Sequence, residues 1–469
     1  GRSSLNVPPY NGGLFVIDTD EALDDREQAI AEFLNTHAIP DRHLARAIDR
    51  LARDPDDKTH GLVMIDYKSL GVRQLGSIYE GLLEFRLRIA PDKMAVCEKK
   101  STELILPYEE AQTTRGVKIK RLGRGKNAPE HVLPKGTVYL ENSKHERKAS
   151  GSYYTPEYIV SYIVEHTVGP VLDEKLEALR ADLDRACRRH HKLRKESQDA
   201  GEPRTYGVFE DEKPLVERVF DLKVLDPAMG SGHFLVTAVD FIADRLIQFL
   251  NGFPGNPVER MLRQTRQEIV QAAGNTGVIV DEAKLADVNL LKRHVLKRCV
   301  YGVDLNPMAV ELAKVSLWLH CFTLGAPLSF LDHHLKHGNS LIGEMTTGAV
   351  LEGGQQQLDG MTAWHEFSQA VQNYMMVASL ADATAAQVQS SRRQFREAEA
   401  ILEPHRERLN VQTAGYFVES NEQKRAAWTG RADQRTTKQG EEAWDRAQDL
   451  AGEHTFFHWP LEFPEAWYG

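Results

Sequence analysis

The 469-residue chain lacks several features that would place a protein in a class at once. It has no run of about 18 apolar residues, and its amino terminus shows no signal-peptide pattern, so neither a membrane protein nor a secreted protein is expected. Its cysteines are scattered without a Cys-x-x-Cys pair, at Cys97, Cys187, Cys299 and Cys321. We therefore expect no metal site and no disulfide framework, but reduced thiols in the cytoplasm.

An excess of positive charge is also missing. The chain has 58 lysines and arginines against 68 aspartates and glutamates, a net charge of −10. Only a local basic patch would therefore indicate nucleic-acid binding. Its 41% hydrophobic and 27% charged residues are typical of a soluble globular protein of about two to four domains.

The stretch from Val224 to Phe234 is the most informative part of the chain. Apolar residues before Asp226 predict a strand, and apolar residues that recur at helical spacing after the glycines predict a helix. Gly230 and Gly232 lack a Cβ atom, so they can take positive φ and let backbone amides approach a ligand at the helix start. A carboxylate or a phosphate suits that position.

Two common classes of glycine loop do not fit this stretch. A dinucleotide fingerprint needs a glycine or alanine three residues after the second glycine, where this chain has Leu235. A nucleoside-triphosphate loop needs a Gly-Lys-Ser/Thr sequence, which does not follow. An ordinary glycine turn in an α/β domain remains the alternative to a cofactor site.

The sequence Asp226-Pro-Ala-Met-Gly-Ser-Gly-His-Phe234 resembles the S-adenosylmethionine-binding motif of the gamma-type DNA N6-adenine amino-methyltransferases. In that family the acidic residue at the strand end and the glycine turn hold the methionine part of the cofactor. The resemblance implies that S-adenosyl-L-methionine is the cofactor here. The candidate cofactor contacts in this stretch are Asp226, Ala228, Gly230, Ser231, Gly232 and Phe234.

The stretch Gly151–Val160 predicts the start of a helix, with Thr155 placed to cap it and Pro156 in its first turn. In the same family a Tyr-Thr-Pro sequence precedes the cofactor turn and contacts S-adenosylmethionine. The resemblance makes Tyr154, Thr155 and Pro156 candidates, and an ordinary capped helix is the alternative. Upstream, Gly76–Glu84 resembles the helix before the methylase core of large, single-chain, Type IIG-like restriction-modification methylases.

The second predicted strand of the core runs from Cys299 to Asp304, and Pro307 predicts the first turn of the next helix, with Asn306 or Asp304 near its cap. An acid at the tip of such a strand can accept hydrogen bonds from ribose hydroxyls. The family resemblance assigns the ribose to Asp304 and places Leu305 beside the adenine. A capping aspartate without a ligand is the alternative.

The stretch Leu335–Gly343 resembles the third cofactor motif of the family, in which an aspartate is common where this chain has Asn339. Asparagine keeps a hydrogen-bond acceptor and adds a donor, so we expect contact with the cofactor adenine to survive. Ser340 is the other candidate cofactor residue in this stretch.

Residues 93–150 are richer in basic residues than the rest, with 13 lysines and arginines against 7 acids. Alternating segments at 117–122 and 137–140 predict short strands in a small β-rich insert. Between Arg115 and Lys126 there are six basic residues and no acidic residue: Arg115, Lys118, Lys120, Arg121, Arg124 and Lys126. Contact with the phosphates of double-stranded DNA is one interpretation, and a solvated charged loop is the other.

Together these patterns predict an α/β protein with a partial doubly wound, Rossmann-like class I methyltransferase core. We expect an N-terminal helical region, the β-rich insert, and an inserted helical hairpin with a heptad-like seam from Ala381 to Leu402. The predicted segments are 1–92 for the helical region, 93–150 for the insert, 151–345 for the first half of the core, 346–452 for the helical insertion and 453–469 for the lead-in to a catalytic strand.

The sequence contains no recognisable catalytic loop of this methyltransferase family. Methylation of adenine N6 requires a flipped base held by a loop of the Asn-Pro-Pro-Tyr type, and no such loop follows the third motif. In the sequence Asn6-Val-Pro-Pro-Tyr10 a valine interrupts the motif. We therefore predict no catalytic residue within this chain.

The resemblance thus predicts the cofactor-binding part of a DNA adenine-N6 methyltransferase from a restriction-modification or phage-defence system. A second chain, or a further C-terminal part, would carry the catalytic loop and target recognition. Two alternatives remain. One is a non-catalytic cofactor- or DNA-binding subunit of a defence complex, and the other is an S-adenosylmethionine-dependent methyltransferase that acts on RNA or protein.

Overall fold

A computed structural model describes residues 25–55, 61–65, 85–99, 102–122, 129–142, 155–201, 207–275, 277, 280, 285–345 and 357–468. The chain divides into two compact units. The larger unit comprises Gly1–Ser69 and Pro156–Gly469, and the smaller one comprises Leu70–Thr155. The residues that resemble the glycine motif and the two strand-end motifs all lie in the larger unit. The predicted helix at Gly76–Glu84 lies outside the described residues.

The described part of the larger unit begins with two helices, α1 (Asp25–Thr36) and α2 (Asp41–Ala52), and an antiparallel ribbon of β1 (Arg53–Pro55) and β2 (Leu62–Met64). Apolar residues recur at helical spacing at Leu44, Ala45, Ile48 and Leu51, and this pattern predicts a packing helix. In the structure these residues of α2 are all exposed.

The described part of the smaller unit contains antiparallel strands and a short helix. Its elements are β3 (Phe85–Ile89), β4 (Met94–Lys99), β5 (Thr102–Pro107), α3 (Tyr108–Thr113), β6 (Lys118–Ile119), β7 (Val132–Leu133) and β8 (Val138–Asn142). Strand β3 pairs with β8, and β4 pairs with β5, β6 and β7. Its small core contains Ala95, Cys97 and Ala111. The strands predicted near 117–122 and 137–140 correspond to β6 and β8.

A 43-residue helix, α4 (Glu157–Asp199), follows the predicted Tyr-Thr-Pro stretch. Its N-cap is Pro156, which has φ −56° and ψ 140°, and no side chain caps the helix. The prediction that Thr155 caps this helix was therefore wrong. Pro156 adopts the extended conformation instead of entering the first turn, and the acidic Glu157 begins the helix at its positive end.

The parallel sheet of the larger unit is formed by three short strands separated by helices. Its elements are α5 (Lys213–Val219), β9 (Val224–Asp226), α6 (His233–Leu250), α7 (Pro257–Asn275), α8 (Asp287–Cys299), β10 (Val300–Asp304), α9 (Pro307–His320) and β11 (Leu335–His337). The strand order is β11-β10-β9, and both neighbouring pairs are parallel. The carboxyl ends of all three strands therefore meet at one edge, where Asp226, Asp304 and the stretch after His337 lie.

Strand β10 occupies the middle of this sheet and is buried from Val300 to Val303. Strand β9 is an outer strand, and the side chain of Leu225 is 43% exposed. A complete doubly wound core remains a prediction, since the described residues contain three parallel strands.

Within the described residues, six helices follow the sheet: α10 (Gln357–Ser379), α11 (Ala385–Val418), α12 (Glu422–Ala432), α13 (Lys438–His454), α14 (Trp459–Glu462) and α15 (Pro464–Tyr468). Helices α10 and α11 pack as a hairpin, and Phe395, Ala398 and Leu402 of the predicted seam lie in its core. Helices α12 and α13 pack on the other half of α11 around Trp428 and Trp444. In the described parts of the chain, no helix has the length and apolar character that crossing a membrane requires.

Buried ion pairs join this helical region to the sheet. Lys297 of α8 lies 2.6 Å from Asp382, and both side chains are almost fully buried. Lys336 of β11 lies 3.1 Å from Glu399 of α11. Burial alone would raise the pKa of Glu399, but Lys336 and Arg406 outweigh burial and lower that pKa to about 2. The hairpin is thus bonded directly to a strand of the candidate site.

Candidate functional site

The glycine turn connects β9 to α6 as the sequence predicts. Gly230 has φ +55° and Gly232 has φ +82°, a region that favours glycine. A Cβ atom at Gly232 would lie 3.2 Å from the Cβ atom of Ala313 in α9, whereas a Cβ atom at Gly230 would face open space. Gly232 is therefore required by both conformation and packing, and Gly230 by conformation alone.

Met229 anchors the turn on the middle strand. Its backbone N–H donates to the carbonyl oxygen of Val303 at 3.0 Å, and its side chain is buried. A Cβ atom at Gly302 would overlap the sulfur of Met229 and the Cδ1 atom of Leu235, so a larger residue there would displace these side chains. Sequence reasoning missed this pair, although a glycine inside a strand does indicate close approach by another group.

Asp304 holds the turn and the next helix together. Its Oδ2 accepts a 2.8 Å hydrogen bond from the N–H of Gly230, and its Oδ1 accepts a 2.8 Å bond from the N–H of Asn306. Asn306 is the N-cap of α9 and accepts from the N–H of Met308, with Pro307 as the first helical residue, which confirms the predicted cap. Each carboxylate oxygen of Asp304 retains a second lone pair for a ligand.

A second carboxylate lies at the end of the neighbouring strand. The Oδ1 atom of Asp226 accepts a 3.0 Å hydrogen bond from the N–H of Ala228. Burial raises the pKa of Asp226, the bond from Ala228 opposes that rise, and the negative charge of Asp304 adds to it. The two strand ends therefore place two carboxylates where a positive ligand group would reduce their repulsion.

The third predicted motif lies against the same edge. The N–H of Gly338 donates to the carbonyl oxygen of Asp304 at 3.0 Å. The N–H of Asn339 donates to the carbonyl oxygen of Thr455 at 2.8 Å. The Oδ1 atom of Asn339 accepts from the N–H of Leu341 at 3.1 Å. The carbonyl oxygen of Ser340 accepts from the indole of Trp459 at 3.3 Å. This loop is thus fixed between β10 and the end of α13.

Exposed apolar side chains follow the second and third strands. Leu305 is 55% exposed and Leu341 is 92% exposed. The imidazole Nε2 of His337 is hydrogen-bonded to the carbonyl oxygen of Leu305 at 3.0 Å, which links these two strand ends. Apolar groups beside polar strand ends suit a flat ring that has hydrogen-bonding edges.

The remaining candidate cofactor residues differ in burial and in the unit to which they belong. Phe234 lies half-buried in the first turn of α6, Ser231 is buried and Ala228 is exposed. Pro156 is exposed at the start of α4, Thr155 belongs to the smaller unit, and Tyr154 lies outside the described residues. Their contact with a ligand at the glycine turn remains a prediction.

The predicted DNA-binding residues belong to the smaller unit. Arg115, Lys118 and Arg121 are exposed, Lys120 is half-buried, and Arg124 and Lys126 lie outside the described residues. The backbone of Lys120 is hydrogen-bonded to β4, and the backbone of Arg121 forms an isolated antiparallel β-bridge with that of Glu130. Contact with DNA phosphates remains a prediction for this patch.

The cysteines and other metal-ligating side chains do not form clusters in the described ranges. No group of three or more histidines, cysteines, aspartates or glutamates there is arranged to hold a metal ion. The four cysteines are buried free thiols, and burial raises the pKa of Cys299 and of Cys321 to about 12. These thiols are therefore packing groups at neutral pH.

Comparison with known proteins gives a partial match. A protein of Methanocaldococcus jannaschii is 27% identical to this chain over 216 residues, which cover 42% of the chain and 15% of that protein. Its name makes it a candidate type II restriction enzyme and methyltransferase. The chain thus spans only a small part of the length of this relative. No family model matches the chain, and no solved structure does.

Proposed function

We propose that this chain binds S-adenosylmethionine and forms the cofactor-binding part of a DNA adenine-N6 methyltransferase in a restriction-modification or phage-defence system. The observation that carries the proposal is the hydrogen bond between the N–H of Gly230 and the carboxylate of Asp304. It joins a glycine turn to the acidic end of the next strand. The similarity to the archaeal protein supports methyl transfer, and adenine N6 as the target rests on the resemblance of the Asp226–Phe234 motif.

The glycine turn suits the methionine part of this cofactor. No side chain caps the amino end of α6, so its first amides can bind a carboxylate at the positive end of the helix. The ammonium and sulfonium groups of the cofactor are both positive. Either charge would relieve the repulsion between Asp226 and Asp304 that contributes to the raised pKa of Asp226.

The second and third strand ends suit the adenosine part. The free lone pairs of Asp304 can accept hydrogen bonds from two ribose hydroxyls. Leu305 offers an apolar contact for the adenine ring. Since the Oδ1 atom of Asn339 already accepts from the N–H of Leu341, the side-chain NH₂ of Asn339 is the group for a ring nitrogen.

The bound cofactor would supply an electrophilic methyl group, and the residues described here would bind and orient it. Holding the target nitrogen falls to a loop of the Asn-Pro-Pro-Tyr type, which does not follow the third motif in this sequence. A second chain or a further part of the protein would supply it.

Calorimetric titration tests the cofactor proposal. We expect saturable binding of S-adenosylmethionine and of its demethylated product, and none of NAD. Asp304→Asn keeps one acceptor oxygen but loses the negative charge, and should weaken binding about tenfold or more, since hydrogen bonds to charged groups contribute about 1.5–3 kcal/mol. Asp184→Asn is the matched control, because Asp184 is exposed on α4 and forms an ion pair there with the exposed Arg188.

Two results would defeat the proposal. One is saturable binding of NAD without binding of S-adenosylmethionine. The other is an Asp304→Asn variant whose affinity equals that of Asp184→Asn and of the unmodified chain.

A further inference from the structure

The carboxyl end of α11 exposes aromatic side chains. Tyr416 is 67% exposed and Phe417 is 44% exposed. The ring of Phe417 stacks on His454 with centroids 4.6 Å apart, and its centroid is 5.4 Å from that of Phe456. The guanidinium of Arg425 lies over the ring of Tyr416 at 4.5 Å. We call these five residues the aromatic platform.

Buried residues directly precede the exposed rings of the platform on α11. Residues Thr413, Ala414 and Gly415 are buried, and the exposed aromatic side chains follow at once. An aromatic ring that stays in water does not contribute the favourable free energy that its burial would provide. Clustered exposed aromatic rings are therefore typical of a surface that binds another molecule.

The platform adjoins the candidate cofactor site. Thr455 lies between the platform residues His454 and Phe456, and its carbonyl oxygen accepts the hydrogen bond from the N–H of Asn339. Thr455 has φ +53°, which is unfavourable for a β-branched residue. Such strain persists where the surrounding structure imposes it, commonly at functional sites.

Positive charge accompanies the aromatic rings. Residues 420–438 contain five lysines and arginines against two acids, in a chain whose net charge is −10. Lys424 and Arg431 lie seven residues apart on α12, so they share a face, and both are exposed. Aromatic rings beside cations are the combination that binds unpaired nucleic-acid strands, through base stacking and phosphate contacts.

We propose that the aromatic platform stacks an unpaired base of a DNA strand beside the cofactor site, with Lys424 and Arg431 on the strand's phosphates. The inference rests on the proposed function, because methylation of adenine N6 requires a base outside the helical stack. Phe417 supplies the stacking ring, and Arg425, which lies over the ring of Tyr416, places a cation beside the stacked base.

Fluorescence anisotropy with a labelled single-stranded DNA tests the inference. Phe417→Leu keeps an apolar side chain and removes the ring, and should weaken binding roughly 5- to 150-fold, the range for loss of one stacked base. Phe417→Tyr keeps the ring and should bind like the unmodified chain. Phe33→Leu is the matched control, because Phe33 is also exposed and stacks on a histidine, His37, with centroids 4.1 Å apart.

The phosphate contacts need a separate measurement. Replacing Lys424 and Arg431 together by glutamine should reduce the slope of log affinity against log salt by about 1–1.5, which is roughly 0.7 for each phosphate on a single strand. Thermal unfolding of each variant shows whether it is folded before its binding is compared.

Equal DNA affinity of folded Phe417→Leu and Phe33→Leu would overturn the inference. Sedimentation that shows a dimer dissociated by Phe417→Leu, with DNA affinity unchanged, would assign the platform to contact between copies instead. Titration with S-adenosylmethionine in parallel separates the two proposals. If S-adenosylmethionine does not bind but Phe417→Leu weakens DNA binding, the proposed function is wrong and the role of the platform in DNA binding stands. If S-adenosylmethionine binds but Phe417→Leu leaves DNA binding unchanged, only the role of the platform is wrong.

Discussion

The backbone N–H of Gly230 donates a 2.8 Å hydrogen bond to the carboxylate of Asp304, which lies 74 residues later in the chain. The two residues follow neighbouring parallel strands, so this bond closes the carboxyl edge of the sheet around the glycine turn. Asp304 holds the turn in place, and under the proposed function its remaining lone pairs also bind the cofactor. Substitutions in the turn can separate backbone strain from ligand binding.

The first prediction concerns the two glycines of the turn. Gly230→Ala should cost about 1–2 kcal/mol of the free energy of unfolding, because an L-residue is strained at φ +55° but its Cβ atom would meet no neighbour. Gly232→Ala should cost more, because its Cβ atom would also lie 3.2 Å from that of Ala313. Urea unfolding measures both losses.

Gly136→Ala is the control for strain alone, with φ +83° and no atom within 4 Å of the added Cβ. We expect Gly230→Ala to weaken binding of S-adenosylmethionine and Gly136→Ala to leave it unchanged. Equal affinities in these two variants would contradict a ligand role for the turn.

The second prediction concerns the buried pair of Lys297 and Asp382, whose side chains lie 2.6 Å apart and are 1% and 0% exposed. The carboxylate of Asp382 also accepts from the N–H of Phe330 and from the hydroxyl of Ser391. Asp382→Asn removes the charge and leaves a buried, unpaired ammonium group. We expect a loss of about 3–5 kcal/mol in the free energy of unfolding.

An exposed pair provides the comparison for Asp382→Asn. Asp184 lies 3.2 Å from Arg188 on α4 with both side chains largely exposed, so Asp184→Asn should cost less than about 1 kcal/mol. The double variant Lys297→Met/Asp382→Asn should recover part of the loss. Similar losses for Asp382→Asn and Asp184→Asn would show that burial does not determine the effect.

The third prediction concerns His458, which supports the third loop of the site. Its Nδ1 atom accepts from the N–H of Glu344 at 3.0 Å, and its Nε2 atom pairs with the Oδ1 atom of Asn410 at 2.8 Å, so the ring is neutral. Burial lowers the pKa of His458 to about 4; Glu462 opposes this effect and Arg406 adds to it.

The pH dependence follows from that lowered pKa. The stabilising contribution is complete above about pH 6.5, where the unfolded histidine is also neutral, and it is lost as the pH falls from there to about 4. The full loss is about 3 kcal/mol. His458→Gln should therefore unfold with a weaker dependence on pH between 6.5 and 4 than the unmodified chain. His43→Gln, at an exposed position on α2, should retain the original dependence.

The sequence predicts local features of this site well, because each depends on residues close together in the chain. The strand, glycine turn and helix around Gly230, and the Asn306–Pro307 helix start, follow from spacing and from glycine and proline chemistry. The failed cap at Thr155 was also a local inference. There, two adjacent residues compete for the N-cap position, and spacing alone does not decide between them.

Contacts between distant segments could not be predicted in the same way. The packing of Met229 over Gly302 and the bond from Asn339 to Thr455 join segments that periodicity treats separately. The buried pair of Lys297 and Asp382 likewise gives no signal in a single sequence. Tertiary packing determines all three, and they account for how the turn, the third loop and the helical region are held together.

The fourth prediction concerns the basic patch of the smaller unit. Arg115 and Lys118 are exposed there, and neutralising both to glutamine should reduce the salt slope of duplex binding by about 1.8, or roughly 0.9 for each phosphate that is no longer neutralised. Replacing the exposed Arg185 and Lys192 of α4 by glutamine is the control for a change of charge alone. An unchanged slope for Arg115 and Lys118 would identify the patch as a solvated surface.

The last prediction is that the 469-residue chain, purified alone, does not methylate DNA. Transfer requires the target nitrogen to be held in line with the sulfonium methyl group, and positioning of this kind contributes about 7–11 kcal/mol in favourable cases. In the proposed function the residues around Gly230 and Asp304 hold the cofactor, and the sequence has no Asn-Pro-Pro-Tyr loop after Asn339 to hold a base.

The measurement is transfer of tritiated methyl groups from S-adenosylmethionine to plasmid DNA, with Gly230→Asp as the control that places a negative side chain in the turn. We expect equal background counts from both proteins, together with measurable cofactor binding by the unmodified chain. Adding a polypeptide that carries the catalytic loop should then raise incorporation with the unmodified chain only. Incorporation by the unmodified chain alone, abolished by Gly230→Asp, would mean that these 469 residues contain a catalytic loop of a different sequence.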